Sequence, residues 1–410
     1  MKVFGTHDEN TLDQLRDVAS RADRVALMAD GHVGYVMPIG GVAAYHGKVS
    51  VVGVGFDIAC GNAAIRTDLK LGDPGGKEKK LTRTINRLAD AIQSEISFGM
   101  GRKNESADAP VDDPLFDDPG WSALAPDVRE KLRDKARAQL GTVGSGNHYV
   151  DVFVDETDTL WVGVHFGSRG FGHTIASGFL ALSQGAKWGD RVPERETLLP
   201  LDQPLGHDYW HLMQLAGRYA YAGREWVARK VVELAGGKEV ELVHNHHNFA
   251  WRETHDGQEF IVVRKGATPA FPGQQGFIGG SMGDDAVIVQ GTPADAADNA
   301  TTALQRDALF STVHGAGRVM SRTQAAGKYR GWGRKRRQVS TGRITAEMME
   351  RWVREKGVVL RGGGLDESPH VYRRLPSVLA AQGDTIQVLH TLRPLIVVMA
   401  GADEVDPYRD

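Results

Sequence analysis

A single cysteine, Cys60, stands among 410 residues. That scarcity excludes an internal disulfide framework and a cysteine-only zinc site, and it fits a reducing compartment. Also missing is any apolar run near the roughly 20 residues that a membrane span takes. The first ten residues, MKVFGTHDEN, lack a signal peptide's apolar segment, so a cytoplasmic location is expected. Charge of one sign is not in excess: the formal net charge is −3, which argues against coating nucleic acid by bulk electrostatics. A local basic groove remains open. No internal repeat occurs at a solenoid period.

Glycine, by contrast, is abundant. The 50 glycines are about 12% of the chain against a usual ~7%. They cluster in GGVAAYHG (40–47), GVGFDIACG (53–61), GTVGSG (141–146), HFGSRGFGH (165–173), GQQGFIGGSMG (273–283) and HGAG (314–317). Each cluster adjoins a strand-like run, among them VSVVGVGF (49–56), YVDVFV (149–154), TLWVGVHF (159–166), EFIVVRKG (259–266) and DAVIVQG (285–291). Any one cluster alone reads more readily as a tight turn at a sheet corner. Six of them, with His, Arg or Ser at the junctions, point to loops whose backbone must approach a ligand closely.

Helical spacing recurs at Leu81, Ile85, Leu88, Ile92 and Ile96, and again at Leu215, Tyr219, Ala222 and Trp226 within 208–235, before a stop at Gly236-Gly237. Residues 104–120 are acidic and proline-bearing and read as an exposed loop or lid. No boundary splits the chain cleanly. The expectation is one large α+β domain over 1–410, with glycine-rich active-site loops on its strands, flanking helices and a tail at 401–410.

Asp57 and Cys60 sit three apart on a glycine-bracketed turn after an apolar run. Alone they read as a buried thiol and a turn cap. His148 in GSGNHYVD, His165 in WVGVHFGSR and His247 in VHNHHNFAW change that reading. Five ligands of mixed N, O and S type suit two divalent ions sharing a thiolate better than one closed tetrahedral site. Such a set does not choose among zinc, manganese and cobalt. His7, His46, His207, His211 and His390 lie in ordinary polar or helical contexts and are not expected to be ligands.

His314, in STVHGAGRVMSR, is followed by Gly315 and Gly317 and by two arginines, Arg318 and Arg322, downstream. A histidine with one nitrogen free and the other pinned by a carboxylate is a competent nucleophile, and Asp30 in MADGHVG is a candidate for the pin. A structural or ligand role suits His314 equally well at this level. Arg318, Arg322, Arg169 and Arg264-Lys265 could hold phosphate oxygens. The run KYRGWGRKRR (328–337) interleaves six basic residues with Tyr329 and Trp332. It reads as a single-stranded nucleic-acid track or as a solvated surface loop.

Taken together, VGFDIACG, GSGNHY, HFGSRG, HHN, VRKGA, GGSMG, HGAGRVMSR and DESPHVY resemble, in order and context, the RtcB family of RNA-splicing ligases. The resemblance runs from about residue 25 to 399. It implies an enzyme that joins an RNA 3′-phosphate or 2′,3′-cyclic phosphate end to a 5′-hydroxyl end, using GTP and manganese. Asp57, Cys60, His148, His165 and His247 would then ligate two Mn²⁺ ions, His314 would carry guanylate, and Asp30 would orient it. Asn147, Arg169, Lys265, Arg318 and Arg322 would hold phosphate, nucleotide or RNA. Tyr149, Asp151, Ser281, Gly315, Ala316, Gly317 and Tyr372 match nucleotide-binding positions. Whether an activating protein partner is needed is left open by the sequence.

The sequence departs from the family pattern on the base side. Asp151 stands for the usual Glu, Tyr149 for Phe, Ala286 for a second serine, Arg373 for Lys, and Met399-Ala400 for a terminal Lys-Gly. A lost guanine contact leaves a polar base edge unpaired, at about 1–3 kcal/mol each. These departures keep open a paralogue with altered nucleotide preference, a metal-dependent cyclic phosphodiesterase, and a non-catalytic RNA-end binder.

Overall fold

The computed structural model describes residues 1–72, 78–330, 337–401 and 404. The chain is α+β and is built on two large sheets. The first has eight strands, in the order Gln275–Ile278, Ala286–Gly291, Ile386–Met399, Tyr149–Val154, Thr159–Phe166, Gly61–Lys70, Glu239–His246; Val359–Arg361 joins it parallel to Ile386–Met399. The second runs Lys2–Val3, Arg24–His32, Ile39–Tyr45, Gln258–Lys265, Asn248–His255.

The runs at 149–154 and 159–166 are strands with those bounds, paired as an antiparallel hairpin. Asp155 closes the turn: its Oδ1 accepts from Thr157 N at 2.8 Å and Thr159 N at 2.9 Å, and its Oδ2 accepts from Trp161 Nε1 at 2.9 Å. The 285–291 run starts one residue later, at Ala286, and the 259–266 run forms Gln258–Lys265. The two helical patterns become Glu78–Glu95 and Pro204–Ala235, the second ending at Gly236 in the left-handed conformation (φ 76°). This 32-residue helix buries Tyr209 to Ala220 in the core under the five-stranded sheet and Val227 to Val232 in the core under the eight-stranded one.

Three segments differ from their sequence reading. VSVVGVGF is not one strand: Lys48–Ser50 is extended and Val51–Val54 is a short helix. Ser50 Oγ caps that turn by accepting from Gly53 N at 2.8 Å, and burial of all four residues overrides the strand preference of valine. Residues 104–120 are only partly the exposed loop expected. Asp112 and Asp117 face solvent, but Leu115 and Phe116 anchor the segment in the main core beside Trp121. The basic run begins as Gly327–Arg330, whose Lys328, Tyr329 and Arg330 are exposed and which pairs with Arg337–Thr341. Its residues 331–336, with Trp332, lie outside the described residues, as does most of the 401–410 tail.

Candidate metal centre and nucleophile

The sheet edges deliver the five candidate ligands to one place. Cys60 ends a tight turn from Asp57 (Cys60 N to Asp57 O, 3.1 Å) with Ala59 at φ 61°, directly before the strand Gly61–Lys70. Asn62, on that strand, pairs with His165, and His165 pairs with Tyr149, the residue after His148. His247 follows the strand Glu239–His246, and its N–H donates to Cys60 O at 2.8 Å. Gly61 is required here, because a Cβ would stand 2.2 Å from Asn245 O.

Two groups result, and they share the thiol. The donor atoms of Cys60, His165 and His247 lie within 4.8 Å of one another, as do those of Asp57, Cys60 and His148. Cys60 Sγ is 3.7 Å from His165 Nε2 and 3.8 Å from His148 Nε2, while His148 Nε2 is 3.1 Å from Asp57 Oδ2.

The surroundings fit a divalent cation. His165 Nδ1 meets Asn62 Oδ1 at 2.6 Å and His148 Nδ1 meets Val143 O at 3.0 Å, so donation from each Nδ1–H leaves Nε2 with a free lone pair toward the thiol. Arg169 Nη1 is also 3.1 Å from His148 Nδ1, and one tautomer satisfies only one of these neighbours. His247 Nδ1 is buried with no hydrogen-bond partner among the described residues. Burial drives the His165 and His247 imidazoles well below the usual range and keeps them neutral, as metal ligands must be. Burial would raise Asp57, but the hydrogen bond and charge of His148 with the charge of Arg169 outweigh it and hold the carboxyl at about 2. Burial, then the neighbouring Asp57 charge, pushes the Cys60 thiol up; a divalent cation at the sulfur reverses that balance.

Asp30 and His314 meet from different strands. Ala267–Pro269 pairs with Ser311–Val313, and Ala267 N donates to His247 O at 3.1 Å, so His314 emerges beside His247. The His247 and His314 rings are 4.9 Å apart. Asp30 is wholly buried, and its Oδ2 lies 2.6 Å from His314 Nδ1 and 3.0 Å from His314 N. With Nδ1 occupied, the remaining reactive nitrogen of this partly exposed ring is Nε2. Gly317 (φ 73°) lets the loop pass the Asp30 carbonyl, which a Cβ would meet at 2.2 Å. Gly315 N points at the same Asp30 oxygen (3.3 Å), and Ala316 is buried between the two glycines.

The candidate phosphate residues divide into two kinds. Arg169 is partly buried beside His148 in a left-handed conformation (φ 57°), with its buried Nε lacking a partner among the described residues. Lys265 is buried, donates to Val52 O at 3.1 Å, and is drawn down to about 8 by burial. Arg318 and Arg322 are already engaged. Arg318 contacts Glu367 at 3.3 Å and Tyr372 Oη at 3.0 Å, and Arg322 pairs with both Asp366 and Glu367. Tyr372 Oη also donates to Glu367.

On the base side, Tyr149 stacks on His165 (5.3 Å between rings) and packs with Met282 and Met399. Asn147 is exposed, with Nδ2 3.4 Å from His165 Nε2. Asp151 is buried, its Oδ1 lacks a partner among the described residues, and burial holds its carboxyl well above the usual range. Ser281 Oγ donates to Asp284 at 2.6 Å.

Four functional neighbours escape sequence reasoning. Asn62 orients His165. Asp366 and Glu367 hold the two arginines. Arg224, in mid-helix, is wholly buried and donates to Ala59 O (2.9 Å), Phe166 O (2.5 Å) and His246 Nδ1 (2.8 Å), tying together the backbone that carries Cys60 and His165. DESPHVY contained a signal for the carboxylate pair; Arg224 has none, because its role exists only once helix and sheet pack.

Comparison with known proteins agrees in one direction. A family model described as tRNA-splicing ligase RtcB matches residues 12–400. The chain is 30% identical over 397 residues to RNA-splicing ligase RtcB1 of Escherichia coli, covering 91% of this chain and 89% of that protein. It is 31% identical to tRNA-splicing ligase RtcB of Thermococcus kodakarensis (93% and 87% covered) and 31% identical to that of Archaeoglobus fulgidus (95% and 89%).

Proposed function

The chain belongs to the RtcB family of RNA-splicing ligases, and from that premise we propose that it seals an RNA 3′-phosphate or 2′,3′-cyclic phosphate end to a 5′-hydroxyl end through guanylate carried on His314. The observation that supports this most is the Asp30–His314 contact at 2.6 Å beside the thiol-sharing ligand groups. It pairs an oriented imidazole with a place for cations that neutralise crowded phosphates.

His314 Nε2 attacks the α-phosphorus of GTP, and the bond to the bridging oxygen breaks, so pyrophosphate leaves. Asp30 keeps the Nδ1 proton and balances the positive charge that the ring gains. An oxygen of the RNA 3′-phosphate then attacks the guanylate phosphorus, the P–N bond breaks, and the imidazole is released. Finally the 5′-hydroxyl attacks the 3′-phosphate, loses its proton, and displaces GMP. A cyclic phosphate is first opened by water. Two manganese ions, held by Asp57, Cys60, His148, His165 and His247, would supply charge neutralisation at the phosphates. Arg169 and Lys265 are set to receive phosphate oxygens. Arg318 and Arg322 would do so while staying tethered to Asp366 and Glu367.

Tyr149, Asp151 and Ser281, with Asn147, Tyr372 and the 315–317 turn, form the proposed nucleotide seat. Burial disfavours a charged carboxylate at Asp151, and Met399 gives that seat an apolar wall. These two observations favour a second reading for the nucleotide alone: weaker discrimination of GTP from ATP. Labelling with either nucleotide in competition tests it. Strict GTP labelling at a large ATP excess would remove that reading and leave the ligase reading intact.

A further inference from the structure

The loop between the strands Arg24–His32 and Ile39–Tyr45 displays an aromatic that the steps above do not use. Tyr35 is 53% exposed. Exposed tyrosines are common, yet this one stands on a turn that is fixed. Gln14 Nε2 donates to the carbonyls of Gly34 (2.8 Å) and Tyr35 (3.0 Å), and Gln14 Oε1 accepts from Gly34 N at 2.9 Å. Gly34 folds so tightly that a Cβ would meet Met37 O at 2.3 Å, and Met37 itself is fully buried. The ring is therefore presented in place.

Its surroundings are those of the candidate centre. The edge-on neighbour of Tyr35 is Phe56 (6.4 Å, 90°), the residue before Asp57, and Phe56 continues the row to His173 (5.6 Å). Lys265 Nζ sits 5.6 Å over the Tyr35 ring. The ring thus meets the cation of a candidate phosphate residue while Tyr35 stays half exposed. The exposed Lys135 rests against Gly170, one residue past Arg169. An aromatic plane flanked by cations is what a single-stranded nucleic acid meets, with base on ring and phosphate on charge. Tyr149 is half-buried against His165 and belongs to the proposed nucleotide seat.

We propose that Tyr35 is a stacking platform for the nucleobase of a single-stranded RNA end that enters the centre from the Asp57 side. This rests on the ligase reading for its ligand. The base lies on the open part of the ring, and its phosphate lies toward Lys265 and Arg169.

The test is a cycle between protein and RNA. Short RNA oligonucleotides ending in a 3′-phosphate or in a 5′-hydroxyl, each with a normal or an abasic terminal nucleotide, are titrated by anisotropy against Mn²⁺-loaded wild type, Tyr35→Ala and Tyr35→Phe. For one of the two ends, removing the base should weaken wild-type binding roughly tenfold to a hundredfold. Tyr35→Ala should weaken the intact oligonucleotide by as much, and the two losses should not multiply. Tyr35→Phe should bind like wild type. Binding of both ends by Tyr35→Ala within twofold of wild type, or losses that multiply, would overturn the proposal. GTP labelling of wild type is read in parallel. If it fails, the ligase reading falls, while the oligonucleotide cycle still decides the stacking contact.

Discussion

Asp30 Oδ2 stands 2.6 Å from His314 Nδ1, and the carboxylate is wholly buried while the imidazole is not. A buried acceptor that meets both the ring nitrogen and the backbone N–H of one residue sets a tautomer and an orientation together. The Asp30 side chain is spent on that task.

Asp30→Asn should therefore keep the fold and lose the nucleophile. An amide that donates to Nδ1 forces the ring into the wrong tautomer, and the rate of nucleotide labelling should fall by about 10²–10⁴-fold. Single-turnover labelling measures it; a rate within threefold of wild type would show that the contact has no chemical role.

Arg224→Met should weaken the centre from behind. The change strands the carbonyls of Ala59 and Phe166 in a buried site, at about 1–3 kcal/mol each. Thermal unfolding should show a lower Tm, and calorimetric titration with Mn²⁺ should show weaker binding. Unchanged Mn²⁺ affinity in a folded variant would mean that the ligand strands hold their positions without the guanidinium.

Arg318→Ala should cost stability as well as function, because it removes one of the two guanidinium partners of the buried Glu367 and the Nη1 donor to Tyr372. Adding Glu367→Gln should restore part of the lost stability but none of the phosphate contact. Denaturant midpoints for the two single variants and the double variant give the coupling; strict additivity would contradict a shared network.

The turn at Asp155 gives a pH signature away from the centre. Burial would raise its carboxyl, but donation from Trp161, Thr157 and Thr159 overcomes this and lowers it below the usual carboxylate range. A group lowered on folding stabilises above its unfolded value, near 3.9, and that contribution is lost as pH falls toward the folded value. Asp155→Asn should lower Tm by a constant amount between pH 7 and about pH 5, and the gap should close below about pH 4. A gap that widens on acidification would reverse the sign of this argument.

Much of the fold and site is legible in the residues, for physical reasons that can be named. The hairpin 149–154/159–166 shows because long apolar strands flank a polar turn, and the helix 204–235 because its apolar face repeats and ends in glycine. The five candidate ligands and His314 show because each sits at a strand end or on a glycine-rich turn, so local sequence reflects the close approach. Val51–Val54 misleads, since tertiary burial and a serine cap defeat valine's strand preference. Asn62 and Arg224 are silent for another reason: each acts on a residue distant in sequence. The engagement of Arg318 and Arg322 by carboxylates is equally invisible before the chain folds.

The most direct measurement is transfer of the α-phosphate of GTP to the protein in the presence of Mn²⁺, with wild type, His314→Ala and Cys60→Ala side by side. The account predicts an acid-labile guanylate on wild type, none on His314→Ala, and little on Cys60→Ala. Equal labelling of wild type and His314→Ala would contradict the nucleophile, and normal labelling of Cys60→Ala would contradict the shared-thiolate centre.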